Sequence, residues 1–181
     1  MSPQEFSAAW GDGLVPFTPS ELQAAPISEP LKRFLMEAGL PEEADPSLIF
    51  YPPPDAMAPI PDVVPSLGLP EGFRRYLVLA DDGGLFLCAD TKSRECVLAV
   101  DPYQEARTRF VNSTVPKFAE YLLAYRRVKP GPGQAEAASK QEIKGWNDRL
   151  KAQFNEIDPV ALSDPNNWWA VIVEELDIFT R

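Results

Sequence analysis

Three apolar runs, Tyr76–Ala80, Leu85–Ala89 and Cys96–Val100, follow one another with only Asp81-Asp82-Gly83-Gly84 and Thr91–Glu95 between them. Connections this short join only antiparallel neighbours, because a parallel pair needs a crossover of a dozen or more residues. The Asp-Asp-Gly-Gly break supplies residues that tolerate the positive φ of a tight hairpin turn. Arg107–Val111 reads as a further strand. The runs are continuously apolar rather than alternating, so both faces of the sheet must be covered. The covering layers are expected from the helices before and after the meander.

Those helices are legible from caps and spacing. Ser2-Pro3-Gln4-Glu5 is a capping box that opens a helix through Trp10, and Gly11 and Gly13 stop it. Leu14–Phe17 reads as a short strand. Thr18-Pro19-Ser20-Glu21 repeats the capping-box logic and predicts a turn of helix through Ala25. Ser28 precedes an amphipathic run with Leu31, Phe34, Leu35 and Ala38 on one face, ended by Gly39 and Pro41. Asn112-Ser113-Thr114 is expected to cap a helix with a Val115, Phe118, Leu122, Tyr125 stripe. Ile143, Trp146, Leu150 and Phe154 share a face of the next helix, and Asp164-Pro165 starts a last one carrying Trp168, Trp169, Ile172 and Leu176. Between the first helices and the meander, residues 41–70 carry many of the 20 prolines, including Pro52-Pro53-Pro54. Proline removes a backbone donor, which excludes a long helix or a central strand there and leaves a strand at Leu48–Tyr51 before a stiff loop. The order of helices, strands, helices defines an α+β fold with a mostly antiparallel sheet, read as a single domain over residues 1–181.

Composition removes several functions. Histidine is absent, so no imidazole catalyst or His-ligated metal exists, and no Cys-x-x-Cys motif is present. No motif for a cofactor, nucleotide or metal is found. With 27 acidic and 17 basic residues the net charge is −10, which suits neither nucleic acid nor an anionic surface. The imbalance is uneven: residues 1–70 hold ten acids against Lys32 and Arg33, a balance of −8. Such a surface attracts a basic partner and speeds encounter, although acidity also serves solubility alone. No apolar run approaches the roughly 20 residues a membrane helix needs, and Met1–Glu5 lacks the features of a signal peptide. A cytoplasmic location is expected. Cys88 and Cys96 fall on neighbouring strands, with Cys88 opposite Leu98 and Asp90 opposite Cys96. The thiols are then a diagonal pair about 7–8 Å apart, too far for a disulfide.

The segment Phe110-Val111-Asn112-Ser113-Thr114-Val115-Pro116-Lys117-Phe118 resembles the strand-to-helix junction of the SUKH superfamily, specifically its fourth group of bacterial immunity proteins. Leu31–Pro41 is similar to that family's Phe-Leu…Gly-Leu-Pro helix end, and Tyr76–Val100 to its meander. Asp158-Pro159-Val160-Ala161-Leu162 and Trp168-Trp169 through Glu174-Glu175 resemble its closing segments, so the likeness covers residues 28–176. Ala80 stands where the family often has Gly, and Ser93-Arg94 where it has a Thr-Gly turn. The resemblance implies a SUKH-like α+β fold and an immunity protein, not an enzyme. Such a protein binds a cognate toxin of the nuclease or nucleic-acid deaminase class and neutralises it by stoichiometric occlusion. A non-immunity interaction or regulatory module of the same fold is the alternative. A two-carboxylate glycosidase has no supporting signature.

Candidate partner-binding acids lie where loops expose side chains: Asp55 and Asp62 in the proline-rich loop, Asp81 and Asp82 at the hairpin tip. Tyr51, Tyr103 or Trp169 are candidate aromatic anchors, with Trp169 taken as the exposed member of its pair, since adjacent helical residues face about 100° apart. Asn112 and Ser113 are explained by helix capping.

Overall fold

A computed structural model describes residues 1–53, 55–104, 107–129 and 138–178. Six strands form one sheet in sequence order, each antiparallel to the next. They are β3 (Glu43–Ala44), β4 (Leu48–Phe50), β5 (Tyr76–Asp82), β6 (Leu85–Asp90), β7 (Cys96–Asp101) and β8 (Arg107–Asn112). Two short strands, β1 (Leu14–Val15) and β2 (Leu40–Pro41), pair separately. The helices are α1 (Pro3–Trp10), α2 (Glu29–Glu37), α3 (Ile60–Val63), α4 (Val115–Val128), α5 (Lys140–Ile157) and α6 (Trp168–Ile178). This is the α+β architecture expected from the sequence.

The meander has the expected register, with Cys88 opposite Leu98 and Asp90 opposite Cys96, and both thiols are free. Val78 pairs with Cys88 but Ala80 with Leu87, so Leu79 is a bulge. Leu77, Leu79 and Ala80 consequently all enter the larger core while Val78 faces the other way. A bulge adds one residue to one strand without moving its partner, and here it sits within the unbroken apolar run.

One sheet face packs on the helices. Its core runs from Phe6 of α1 through Leu35, Phe118 and Leu150 to Trp169 of α6, all buried. The first 25 residues, outside the resemblance found by sequence, are part of this core: Phe6, Trp10, Phe17 and Leu22 are buried, and the Phe6 ring lies 5.6 Å from that of Phe34.

The opposite face corrects an expectation, because among the described residues no long helix covers it. Tyr76, Val78, Phe86, Cys88 and Val100 are buried beneath Ile60, Phe73, Val63, Val64 and Leu69 of the proline-rich segment. That segment folds into α3 and two 3-10 turns, Pro65–Leu67 and Glu71–Arg75. Pro61 and Pro65 fall in first-turn positions, where a missing N–H costs nothing. The Met57 N–H donates to the Val78 carbonyl (2.7 Å) and the Val78 N–H to the Ala58 carbonyl (2.9 Å), so the segment completes the part of β5 that β4 leaves unpaired.

Smaller differences follow from local chemistry. Thr18–Ala25 forms turns rather than helix, although the Glu21 carboxylate accepts the Thr18 N–H as a capping box requires. On α5, Leu150, Phe154 and Asn147 are buried while Ile143 and Trp146 are half-buried. Arg94 and Glu95 take positive φ (53° and 59°) in the β6–β7 turn. Glu95 is held there by Ser28, whose backbone N–H and hydroxyl both donate to its carboxylate.

Gly39 is required at the end of α2. Its φ is +78°, and a Cβ there would lie 2.3 Å from the Val15 carbonyl oxygen. Gly39→Ala is therefore expected to cost more than about 1 kcal/mol in chemical denaturation. Gly72→Ala, at an ordinary φ with open space around it, should stay within about 0.5 kcal/mol.

Candidate partner-binding surface

The segment that joins sheet to helices is organised around one buried carboxylate. Asp158, just after α5, is wholly inaccessible to solvent. Its oxygens accept from the Ser113 N–H (2.7 Å), the Ser113 hydroxyl (2.8 Å), the Asn112 amide (3.3 Å) and Lys117 Nζ (3.2 Å). The Asn112 carbonyl oxygen accepts from Trp169 Nε1 at 2.9 Å. Asn112 and Ser113 thus have structural roles, but not the expected one: Thr114 alone caps α4, accepting from the Lys117 N–H. The other two bind the carboxylate across 46 and 45 residues of chain.

This arrangement removes Trp169 as an exposed anchor. Trp168 and Trp169 are 2% and 0% exposed. Trp169 is enclosed by the rings of Phe154 (4.9 Å), Tyr121 (5.5 Å) and Tyr125 (6.0 Å), and its N–H is satisfied by Asn112. Trp168 is buried as well, and its N–H donates to Asp82 at 3.0 Å, at the end of β5. The two adjacent indoles face different neighbours, as helical geometry requires, but both neighbours are protein.

The four acids separate into two groups. Asp82 also accepts from the Ser47 hydroxyl (2.7 Å), so it joins β5, the β3–β4 turn and α6. Asp62 receives both guanidinium nitrogens of Arg74 at 2.7 Å, and this pairing holds its carboxyl below the ordinary range. Asp81 and Asp55 belong elsewhere. Asp81 receives the Gly84 N–H across the hairpin turn (3.1 Å), and Asp55 is exposed. Burial first, and after it the charges of Asp81, Cys88 and Asp55, raise the Tyr51 hydroxyl above its usual value.

Asp81 is part of a row. Glu43, Ile49 and Asp81 stand directly opposite one another across β3, β4 and β5 and share one sheet face. Ile49 is 62% exposed. Beside it opens a cleft of about 770 Å³ lined by Trp10, Asp12, Glu42, Glu43, Asp45 and Arg126 among others. Lys129 pairs with Asp45, and Arg126 donates to the Trp10 carbonyl (3.0 Å) with its guanidinium 4.8 Å from the Trp10 ring. The carboxylates of Asp12, Glu42 and Glu43 have no hydrogen-bond or ion-pair partner among the described residues. Sequence reasoning located the acidic segment but not these residues, since Asp12 and Glu42 meet only once β1 and β2 pair. Tyr103 is 73% exposed but lies beyond β7, at the far edge of the sheet.

The fold is an α+β sheet packed on both faces, with an acidic edge around the exposed Ile49 side chain. The chain belongs to the SUKH-4 immunity protein family, whose family model matches residues 1–175. Neither the curated proteins nor the solved structures gave a match. Membership supports an immunity function and implies a protein toxin as partner; the family is generally non-enzymatic. Among the described residues, no helix is long and apolar enough to cross a membrane.

Burial alone would raise Asp158, but the Ser113, Lys117 and Asn112 donors outweigh it and hold its carboxyl below 3.8, the ordinary aspartate value. The unfolded chain therefore binds this proton first as pH falls, so the contribution is complete above about 3.8 and lost as pH drops through the lower folded value. Asp158→Asn is expected to cost about 2 kcal/mol or more at neutral pH and to flatten the acid limb of a plot of Tm against pH. An unchanged acid limb would show that this carboxylate carries no linkage.

Proposed function

We propose that the protein neutralises a basic toxin of the nuclease or nucleic-acid deaminase class by binding it one-to-one and covering its substrate groove. No bond is made or broken. The chain acts as a single unit in the cytoplasm and needs no cofactor. The observation that supports this reading is the gathering of unpaired acids from residues 1–70 beside an exposed Ile49 at one edge of the sheet. Charge at such a rim sets the association rate, while buried contacts set dissociation. Asp81 stands opposite Ile49 on the same sheet face and Asp55 is exposed, whereas Asp62 and Asp82 are engaged within the chain.

The test is a titration of the toxin encoded by the neighbouring gene. Toxin activity on its substrate should fall in proportion to added protein and vanish near one equivalent. Complete loss at a small fraction of an equivalent would mean catalytic inactivation, and undiminished activity in excess protein would mean that this toxin is not the target.

A further inference from the structure

Two features of the cleft beside Ile49 say what would fit it. The first is its outer wall. Among the described residues, β3 is the end strand of the sheet and pairs only with β4. The Phe50 N–H donates to the Glu42 carbonyl at 2.8 Å, so the Glu43–Ile49 pair is of the non-hydrogen-bonded kind. The backbone N–H and carbonyl of Glu43 then point away from β4, to the open edge. A free edge of this kind accepts another strand. The second feature is charge. Asp12, Glu42 and Glu43 line the cleft unpaired, while its cation, Arg126, is engaged by Trp10. Small-molecule pockets are mostly apolar and enclosing; this one is open and walled by carboxylates.

We propose that the cleft seats an extended, Lys- or Arg-bearing segment of the cognate toxin, laid along the outer edge of β3. This rests on the immunity reading above. The segment's backbone pairs with Glu43. Basic side chains of the segment reach Asp12, Glu42 and Glu43, and an apolar one covers Ile49 on the rim.

An octapeptide of alternating lysine and valine is the probe, titrated into the full ¹⁵N-labelled chain, with a glutamate–valine octapeptide as control. The amides of Gly13, Glu42, Glu43, Ala44 and Ile49 should shift with the basic peptide alone, and the effect should weaken with added salt. The triple variant Asp12→Asn, Glu42→Gln, Glu43→Gln leaves the Asp45–Lys129 pair intact and should bind about tenfold more weakly. Ile49→Ser, at an exposed site that leaves the fold unchanged, should weaken binding too. Shifts on another surface, no shifts at millimolar peptide, or equal affinity in the triple variant would overturn the proposal. Concentration-dependent shifts at these amides without peptide would also overturn it, by assigning the cleft to a second copy of the chain. If the neighbouring toxin is neutralised at one equivalent while the peptide maps elsewhere, the cleft is wrong and the immunity reading stands. If excess protein leaves that toxin active, the immunity reading itself fails.

Discussion

The Asp158 carboxylate is the point on which the two halves of the core meet. A buried charge is costly unless its lone pairs are filled, and here Ser113, Asn112 and Lys117 fill them. All three donors come from the β8–α4 junction, so the charge cannot be satisfied unless the end of α5 sits against that junction. Asn112 relays the constraint to Trp169, whose indole fills the space between α4, α5 and α6. The Tyr121 hydroxyl adds a second tie, lying 2.8 Å from the Phe154 carbonyl and 2.6 Å from that of Asp158. One polar network therefore positions the helical layer against the sheet.

With that layer fixed, the free surface is what the two ends of the sheet leave open. Asp82 fastens the β3–β4 turn to α6 through Ser47 and Trp168, so the hairpin bearing Ile49 is anchored to the same helical layer. On the other side of the cleft, the close approach of Gly39 to Val15 brings β1 and the end of α1 next to β2. The acidic cleft lies between these two attachments. Its shape follows from the contacts on both flanks.

The meander, its cysteine register and most helices were legible because short-range rules decide them: turn residues, capping boxes and apolar spacing. The Asp158 network was not, because Asn112-Ser113-Thr114 looks like a cap in isolation and its true partner is 45 residues away. The Trp169 expectation failed for a related reason. Helical geometry separates adjacent side chains, but it does not say that Asp82 waits for Trp168 while Asn112 and the rings of Tyr121, Tyr125 and Phe154 enclose Trp169. The proline-rich segment was readable as non-helical over its length, yet its use as a lid over Val78, Phe86 and Val100 depends on Ile60 and Phe73 meeting a sheet face that sequence could only say was covered. Residues 1–70 announced their acidity by count, while the cleft required β1 and β2 to pair across the chain.

The proposed toxin-binding face is the acidic edge at β3 and β4, not the Tyr103 edge. Hydrogen–deuterium exchange of the protein with and without the toxin from the neighbouring gene tests this most directly. Protection on complex formation is expected in peptides covering residues 11–14 and 41–50, with residues 97–103 unchanged. Protection confined to residues 97–103 and β8, with 41–50 exchanging as in the free protein, would contradict it.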